Sequence, residues 1–274
     1  MNTARQQLIS ARYGDASQAT ELAWSPIIEH LLKHRSVRAY LPDPVSDEQL
    51  AAIVAAAQSA SSSSNLQVWS VIAVRDAARR AKLSELTGKQ PHVGKAPLQL
   101  VWIADLARLE HLTQITQRPG EALDYLEAFL TATIDAALAA QNAAAAAESL
   151  GLGIVYTGTM RNQPEDVAEL LELPPKTVAL FGLCVGKPDP AQPADIKPRL
   201  PQSVVLHNER YSLDAQTPGV ETYNAAMARF YEKQNMNVHG TWAVHSSKRV
   251  ANAEALSGRD RLAEALHARG FALK

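Results

Sequence analysis

The sequence is poor in cysteine and has no excess of either charge, and both shortages exclude classes of protein. Cys184 is the only cysteine among 274 residues, so no disulfide can form within the chain. It lies in the apolar run VALFGLCVG, which favours a buried thiol over a reactive one. Lysine and arginine number 27 and aspartate and glutamate 28, a net charge of −1. This balance argues against a protein that binds nucleic acid or a membrane surface, because both need excess positive charge.

Long hydrophobic runs are also missing. No stretch reaches about 18 consecutive apolar residues, so we expect no transmembrane helix. The N-terminal sequence MNTARQQLISARYGDASQ is too polar for a secretory signal peptide. Hydrophobic residues nevertheless make up 46% of the chain, enough for a sizeable core. We therefore expect a soluble protein in a reducing, cytoplasmic location, with neither membrane nor nucleic acid as a partner.

Several common motifs of catalytic sites are absent as well. The chain has no Walker A motif, no G-x-S-x-G elbow and no H-E-x-x-H pair. Gly151 and Gly153 follow a predicted helix and precede a predicted strand, the reverse of a Rossmann fingerprint, so that site is rejected. His239 and His245 have no cysteine companions, and we expect no metal site.

Along the chain, segments with helical periodicity are mixed with segments typical of strands, which predicts an α+β fold. We expect an N-terminal extension over 1–20, loosely attached, followed by a single domain over 21–274. The predicted helices cover 21–34, 46–60, 76–88, 121–151, 164–172, 220–233 and 253–268. Strands are predicted at 68–74 and 98–104 and in the runs LGIVYTG and TVALFGLCVG. The proline-rich stretch 187–219 is expected to be an extended loop.

The longest predicted element is the helix over 121–151. It is dense in alanine, contains no internal proline or glycine, and would be about 44 Å long. Between residues 134 and 147 it is apolar nearly all round, so it should be surrounded by protein. It is therefore expected to be either the spine of the fold or a subunit interface.

Three short segments carry polar groups that could bind a ligand. The run of four serines at 61–64 has the composition of a linker, but its place between a helix and a strand favours a ligand-binding loop. The segments HRSVR at 34–38 and IKPRLP at 196–201 hold arginines, whose planar forks match phosphate. Each basic segment on its own fits a solvated surface at least as well.

In combination and in this order, the segments HRSVRAYLPDP, SASSSSNLQVW, LTGKQPHV, AAESLGLGIVYTG, FGLCVGKP and IKPRLP resemble the nitroreductase superfamily. They look most like its NADPH-dependent, oxygen-insensitive nitroreductases and flavin reductases. The resemblance runs from about His30 to the C-terminus. It implies a central, mostly antiparallel sheet flanked by helices, with a long central helix. It also implies a homodimer with FMN bound at the subunit interface.

The resemblance assigns twelve residues to FMN binding: His34, Arg35, Ser36, Arg38, Ser61, Ser62, Ser63, Gln90, Tyr156, Gly158, Lys197 and Arg199. Residues 34–36 match those around the phosphate and the ribityl chain, and Arg38 matches the one beside the flavin pyrimidine ring. Residues 61–63 match a loop contributed by the second subunit.

The remaining assignments concern the flavin ring and the later basic pair. Gln90 matches a contact at the flavin edge. Tyr156 and Gly158 match the segment beside the reactive flavin nitrogen, and Lys197 and Arg199 match the pair near ring and phosphate. Reduced flavin tends to carry negative charge at its pyrimidine end, so a fixed cation there would favour hydride acceptance.

The implied activity is hydride transfer from NADPH or NADH through FMN to a small electron acceptor, by a ping-pong mechanism. Nitroaromatics, quinones and free flavins are the expected acceptors. No side chain is expected to act as a nucleophile or as a general acid or base, because the cofactor carries the chemistry. A flavin reductase that supplies a partner enzyme, and a flavin-binding redox sensor with little turnover, stay open as alternatives.

Three positions depart from the pattern of the related enzymes. Asn65 replaces an aromatic residue and Thr159 a second glycine, and both changes are expected to reshape the pocket above the flavin. Gln234 replaces an arginine in a loop that holds the 2′-phosphate of NADPH. This third departure predicts a reduced preference for NADPH over NADH.

Overall fold

The computed structural model describes residues 3–14 and 22–274, which divide into two compact units. The first, the helical unit, comprises the described residues up to Arg35 together with Asp195–Leu256. The sheet unit comprises Ser36–Ala194 and Ser257–Lys274. The division into an extension over 1–20 and one domain over 21–274 stays a prediction.

The helical unit consists of helices joined by irregular segments. Its helices are α1 (Thr3–Tyr13), α2 (Pro26–Leu32), α9 (Gln202–Val205), α10 (Thr217–Lys233) and α11 (Trp242–Lys248). Ser25 caps α2, because its side chain accepts a hydrogen bond from Ile28 N, and Pro26 occupies the first turn. The stretch 187–219 is extended, as expected, apart from the short α9, a 3-10 turn at Asp214–Gln216 and the start of α10.

Helix α1 corrects one expectation about the N-terminal extension. Its side chains Ile9 and Arg12 are buried, so this part of the extension is packed rather than loosely attached. The sequence of α1 has no clear apolar periodicity, because the helix buries few apolar side chains and is attached largely through polar contacts. Residues 1–2 and 15–20 lie outside the described residues.

The sheet unit is built on four antiparallel strands in the order β1-β2-β4-β3. They are β1 (Trp69–Val74), β2 (Leu98–Asp105), β3 (Gly153–Thr157) and β4 (Thr177–Gly186). The central strands β2 and β4 are buried along almost their whole length, which explains why their sequences are largely apolar. The predicted α+β class and antiparallel sheet are confirmed.

Helices cover both faces of this sheet. They are α3 (Asp47–Gln58), α4 (Ala77–Leu86), α5 (Pro91–Lys95), α6 (Ala107–Ile115), α7 (Leu126–Ser149), α8 (Pro164–Leu170) and α12 (Leu262–Ala268). Alternate residues of each strand serve opposite faces, so Trp102 packs with α3 and α7 while Val101 packs with α4, α5 and α8. Cys184 is buried in the second cluster, and burial raises its pKa to about 12, as expected for an inert core thiol.

Helix α7 is the predicted long helix, shortened to 24 residues. Its buried face is lined by alanines at helical spacing, whose small side chains let α7 lie close to α3 and the sheet. Within the single chain, 134–147 is surrounded by protein on this face, and the alternative of a subunit interface stays a prediction. On the opposite face Leu130, Ile134 and Leu138 are four residues apart and exposed, Ile134 by 56%. No helix in the described ranges is both long and apolar enough to cross a membrane.

The ends of several predicted helices moved, and five helices were not predicted. The segment 253–268 is α-helical only from Leu262 and has short 3-10 turns before it, because Ser257 and Gly258 take left-handed φ values of 56° and 85° that interrupt a helix. Helix 121–151 begins as a short 3-10 turn before α7. Helices α1, α5, α6, α9 and α11 were not predicted, since each buries at most one apolar side chain and so lacks a clear apolar face.

Candidate functional site

Residues 36–38 dock in an extended conformation beside β3 in the sheet unit. Ser36 forms a parallel bridge with Ile154, and Val37 N donates to Ile154 O at 2.8 Å. Gly153 permits this approach, because a Cβ at that position would lie 2.8 Å from the Val37 side chain. Val37 is buried, and its neighbour Arg38 is exposed. The docking fixes the backbone of Arg38 next to the strand that carries Tyr156.

Tyr156 and Gly158 lie where β3 ends. The Tyr156 ring packs edge-on against Phe181 at 5.6 Å between centroids, and burial raises the pKa of the phenol, which keeps it protonated. Gly158 begins the 3-10 turn Gly158–Arg161. Thr157 and Thr159 flank this glycine, and their hydroxyl oxygens are buried without a hydrogen-bond partner among the described residues. The turn therefore retains unused polar groups on both sides of Gly158.

Gln90 is presented by a tight turn at the start of α5. Gly88 and Lys89 have φ values of 80° and 54°, and the Gln90 carbonyl accepts hydrogen bonds from Val93 N and Ser84 Oγ. Burial lowers the pKa of His92 on α5, and the positive charge of Arg38 lowers it further. Arg38 is therefore close enough to α5, the helix that follows Gln90, for its charge to act on His92.

The serine run is a hydrogen-bonded loop held by Asp135 of α7. Ser62 Oγ donates to Asp135 Oδ2 at 2.6 Å, and Ser63 N and Val68 N donate to the same carboxylate at 3.2 and 3.4 Å. Ser64, Asn65 and Gln67 have positive φ values between 48° and 56°. Non-glycine residues in that region are strained and persist only where other contacts hold them.

Asp135 was missed in the sequence, although one signal was available. It is a single acidic residue within the apolar stretch TATIDAALAA, and it is only 1% exposed. A buried carboxylate needs several donors, so its presence on an apolar helix predicts a polar loop packed against it. The hydroxyl proton of Ser62 goes to Asp135, whereas Ser61 and Ser63 are exposed. The assignment of all three serines to FMN stays a prediction.

The two predicted basic segments of the helical unit meet at Arg12. Its guanidinium donates to His34 O at 2.7 Å and to Lys197 O at 3.0 Å. Arg199 N in turn donates to Arg12 O at 2.8 Å. The sequence alone gives no indication that Arg12 supports the predicted site, because its hydrogen-bond partners are distant in the chain.

The arginines of the predicted site fit an anionic ligand. Arg35, Arg38 and Arg199 are exposed, and none of them pairs with a carboxylate in the part of the chain that the structure describes. Guanidinium forks suit a phosphate, and the serine and threonine hydroxyls suit ribityl hydroxyls and ring heteroatoms. The donor set in each unit therefore fits FMN.

Comparison with known proteins decides the family. The model of the nitroreductase family matches residues 31–187, and the model of its C-terminal domain matches residues 197–274. The chain belongs to the nitroreductase family. The resemblance stated from its sequence segments is thereby confirmed.

Members of the nitroreductase family with known names are similar along nearly the whole chain. An oxygen-insensitive NADPH nitroreductase of Salmonella typhimurium is 42% identical over 252 residues, covering 91% of this chain and 100% of that protein. An NADPH-flavin oxidoreductase of Vibrio harveyi is 37% identical, covering 89% of this chain and 98% of that protein.

Solved structures of the family agree with the fold. The hypothetical oxidoreductase YcnD of Bacillus subtilis has a TM-score of 0.86 at 36% identity, covering 92% of this chain and 100% of its own. The NADPH:FMN oxidoreductase of Vibrio harveyi in complex with NAD⁺ has a TM-score of 0.80 at 34% identity, covering 91% and 100%. The long central helix and antiparallel sheet are thus a nitroreductase fold.

Proposed function

We propose that the protein is an FMN-dependent NAD(P)H oxidoreductase that reduces a small, electron-poor acceptor such as a nitroaromatic, a quinone or a flavin. The observation that carries this proposal is the set of exposed arginines without carboxylate partners, in segments that the nitroreductase models match. Similar proteins named NADPH nitroreductase and FMN reductase support the same chemistry. The proposed kinetic order is ping-pong, with the oxidised nicotinamide leaving before the acceptor binds.

The proposed roles divide into holding the cofactor and tuning it. Arg35, Lys197 and Arg199 would bind the phosphate, with His34 and the serine hydroxyls contacting the phosphate and ribityl chain. When bound, FMN supplies the hydride-accepting and electron-donating chemistry. Arg38 would place a positive charge beside the pyrimidine ring, where it favours the more negative, reduced form. No side chain of the protein is assigned a covalent or acid–base step.

A homodimer is part of the proposal. Leu130, Ile134 and Leu138 form an exposed apolar stripe on α7, and removing the exposed half of one such side chain from water is worth about 1 kcal/mol. Asp135 on the same helix holds the serine loop, so pairing of two α7 helices would bring each loop to the partner's side. Light scattering is expected to give twice the chain mass of 29.6 kDa, and a monomer at micromolar concentration would contradict it.

The absorbance spectrum of the purified protein tests the proposed function most directly. We expect flavin bands, or their appearance after FMN is added, and steady NADPH or NADH oxidation with a quinone. Colourless protein that does not bind added FMN would refute the proposal. Bound FMN with negligible turnover would favour a redox sensor instead.

Arg35→Ala is expected to weaken FMN binding by about 10- to 150-fold, because one charge-assisted hydrogen bond contributes about 1.5–3 kcal/mol. The measurement is a titration of apoprotein with FMN, followed by flavin fluorescence. Arg79→Ala is the matched control, since Arg79 is an exposed arginine of α4 outside the predicted site. An unchanged dissociation constant for Arg35→Ala would remove this residue from the site.

The preference for NADPH over NADH is expected to be weak. Gln234 Nε2 donates to Asp195 Oδ2 at 2.8 Å, and Lys233 Nζ lies 2.7 Å from the same oxygen. The position that matches a phosphate-binding arginine is therefore neutral, and the adjacent lysine is already paired with a carboxylate. Loss of one charged contact removes about 10- to 150-fold of discrimination.

The assay for coenzyme preference is kcat/KM for NADPH and for NADH with one quinone. The variant Gln234→Arg supplies the comparison, and its ratio is expected to move toward NADPH. A wild-type ratio above about 1000 in favour of NADPH would contradict the prediction, because about 4 kcal/mol of discrimination requires an intact 2′-phosphate clamp.

A further inference from the structure

Arg12 is a buried cation on a helix that precedes the part of the chain matched by the family model. That match begins at residue 31, whereas α1 ends at Tyr13. Arg12 is 6% exposed, and its guanidinium donates to the carbonyls of Leu32 at 2.8 Å, His34 at 2.7 Å and Lys197 at 3.0 Å. A guanidinium is costly to bury unless such acceptors surround it, so these contacts are required by the fold of the unit.

The backbone at the end of α1 joins the same segments. Arg199 N donates to Arg12 O at 2.8 Å, so residues 197–199 are held by both the side chain and the main chain of Arg12. Gly14 follows with φ 76°, and a Cβ there would lie 2.5 Å from the Ala226 side chain on α10. Arg229 of α10 donates to Gly14 O at 3.1 Å. The C-terminal end of α1 is therefore fixed at several points.

The two segments joined by Arg12 need such a support. Residues 34–35 and 195–200 belong to no helix or strand, and they are at least 160 positions apart in the chain. Loops of this kind must be ordered when a ligand binds, at a cost of about 0.5–1.5 kcal/mol for each flexible side chain fixed. Contacts that order them beforehand raise the affinity without touching the ligand.

We propose that Arg12 is a positioning residue for the phosphate group of FMN. It fixes the backbone of His34, Lys197 and Arg199, and thereby the directions in which the basic side chains of both segments leave the main chain. The N-terminal extension then contributes to cofactor binding in this protein, because it orders the backbone of the phosphate-binding segments. This inference rests on the proposed function, because it requires that residues 34–35 and 197–199 bind FMN.

The test compares FMN with riboflavin, which has the same ring and ribityl chain but no phosphate. Full-length wild type, Arg12→Lys and Arg12→Met are titrated with both flavins by fluorescence quenching. We expect FMN to bind about 10-fold more weakly to both variants, as predicted for loss of preordering, while riboflavin affinity stays within about 3-fold. The ratio of the two affinities is the readout, since general loosening of the fold would weaken both flavins together.

Arg5→Met is the matched control on the same helix. Arg5 stacks over the Trp24 ring at 4.7 Å and donates to Leu22 O, so it attaches α1 without a hydrogen bond or ion pair to either basic segment among the described residues. We expect the ratio of its affinities for FMN and riboflavin to equal that of the wild type. If Arg12→Met does not fold, Arg12→Lys decides, because it keeps the buried charge but cannot reach three carbonyls with one planar fork.

The outcomes separate this inference from the proposed function. A wild type that prefers FMN, with an unchanged preference in the Arg12 variants, would overturn the positioning role and leave the function standing. An equal loss of affinity for FMN and riboflavin in the Arg12 variants would overturn the positioning role, because it would show that Arg12 only stabilises the fold. A wild type that binds neither flavin would refute the proposed function, and the positioning role with it.

Discussion

Replacing Ala144 with glutamate is expected to prevent stable folding of the sheet unit. Ala144 is 1% exposed on the alanine face of α7 and belongs to the core cluster with Leu100 and Trp102. The larger side chain has no room there, and its carboxylate would be buried without a partner. We expect a loss of about 4 kcal/mol or more, a large part of the 5–15 kcal/mol that stabilises a typical domain. Urea denaturation and the yield of soluble protein measure it.

Ala78→Glu is the matched control for this substitution. Ala78 is exposed on α4, four residues before Lys82, a spacing that is mildly favourable for a glutamate. Its free energy of unfolding is expected to stay within about 0.5 kcal/mol of the wild type. An Ala144→Glu protein that is soluble and loaded with FMN, with the wild-type urea midpoint, would show that this face of α7 is not packed.

The second large effect is expected from Asp135→Ala. The substitution removes the acceptor of Ser62 Oγ, Ser63 N and Val68 N, and it leaves the buried Val68 N without a partner. Hydrogen bonds to a charged group contribute about 1.5–3 kcal/mol each and are not additive, so we expect a total loss of about 3 kcal/mol. Thermal or urea unfolding gives this number directly.

Limited proteolysis should locate the effect of Asp135→Ala. The positive φ values of Ser64, Asn65 and Gln67 are sustained by the surrounding contacts, so the loop is expected to open and to be cut first. Asp135→Asn keeps the shape and one carbonyl acceptor and should lie between the alanine variant and the wild type. Wild-type stability together with an uncut loop in Asp135→Ala would contradict the anchoring role.

Features governed by neighbouring residues could be read from the sequence. Ser46 and Gln49 form a capping box at the start of α3, the pattern S-x-x-Q that marks a helix start in a sequence, with Gln49 N donating to Ser46 Oγ at 3.2 Å and Ser46 N to Gln49 Oε1 at 3.0 Å. Two largely apolar runs form the central strands β2 and β4, and the alanine-rich run forms α7. Apolar periodicity and caps are reliable because they report backbone angles and burial within one element.

The sequence by itself determined the family, the α+β class and the residues that could face an anion, since these depend on residue types in a fixed order. Only the tertiary structure decided which of those residues are tied to one another. Ser62 meets Asp135 across 73 positions, and Arg12 meets Lys197 across 185. Such contacts depend on which face of a helix turns inward and which loops come together. No local pattern records this, because the energy that selects it arises only when the whole core is packed.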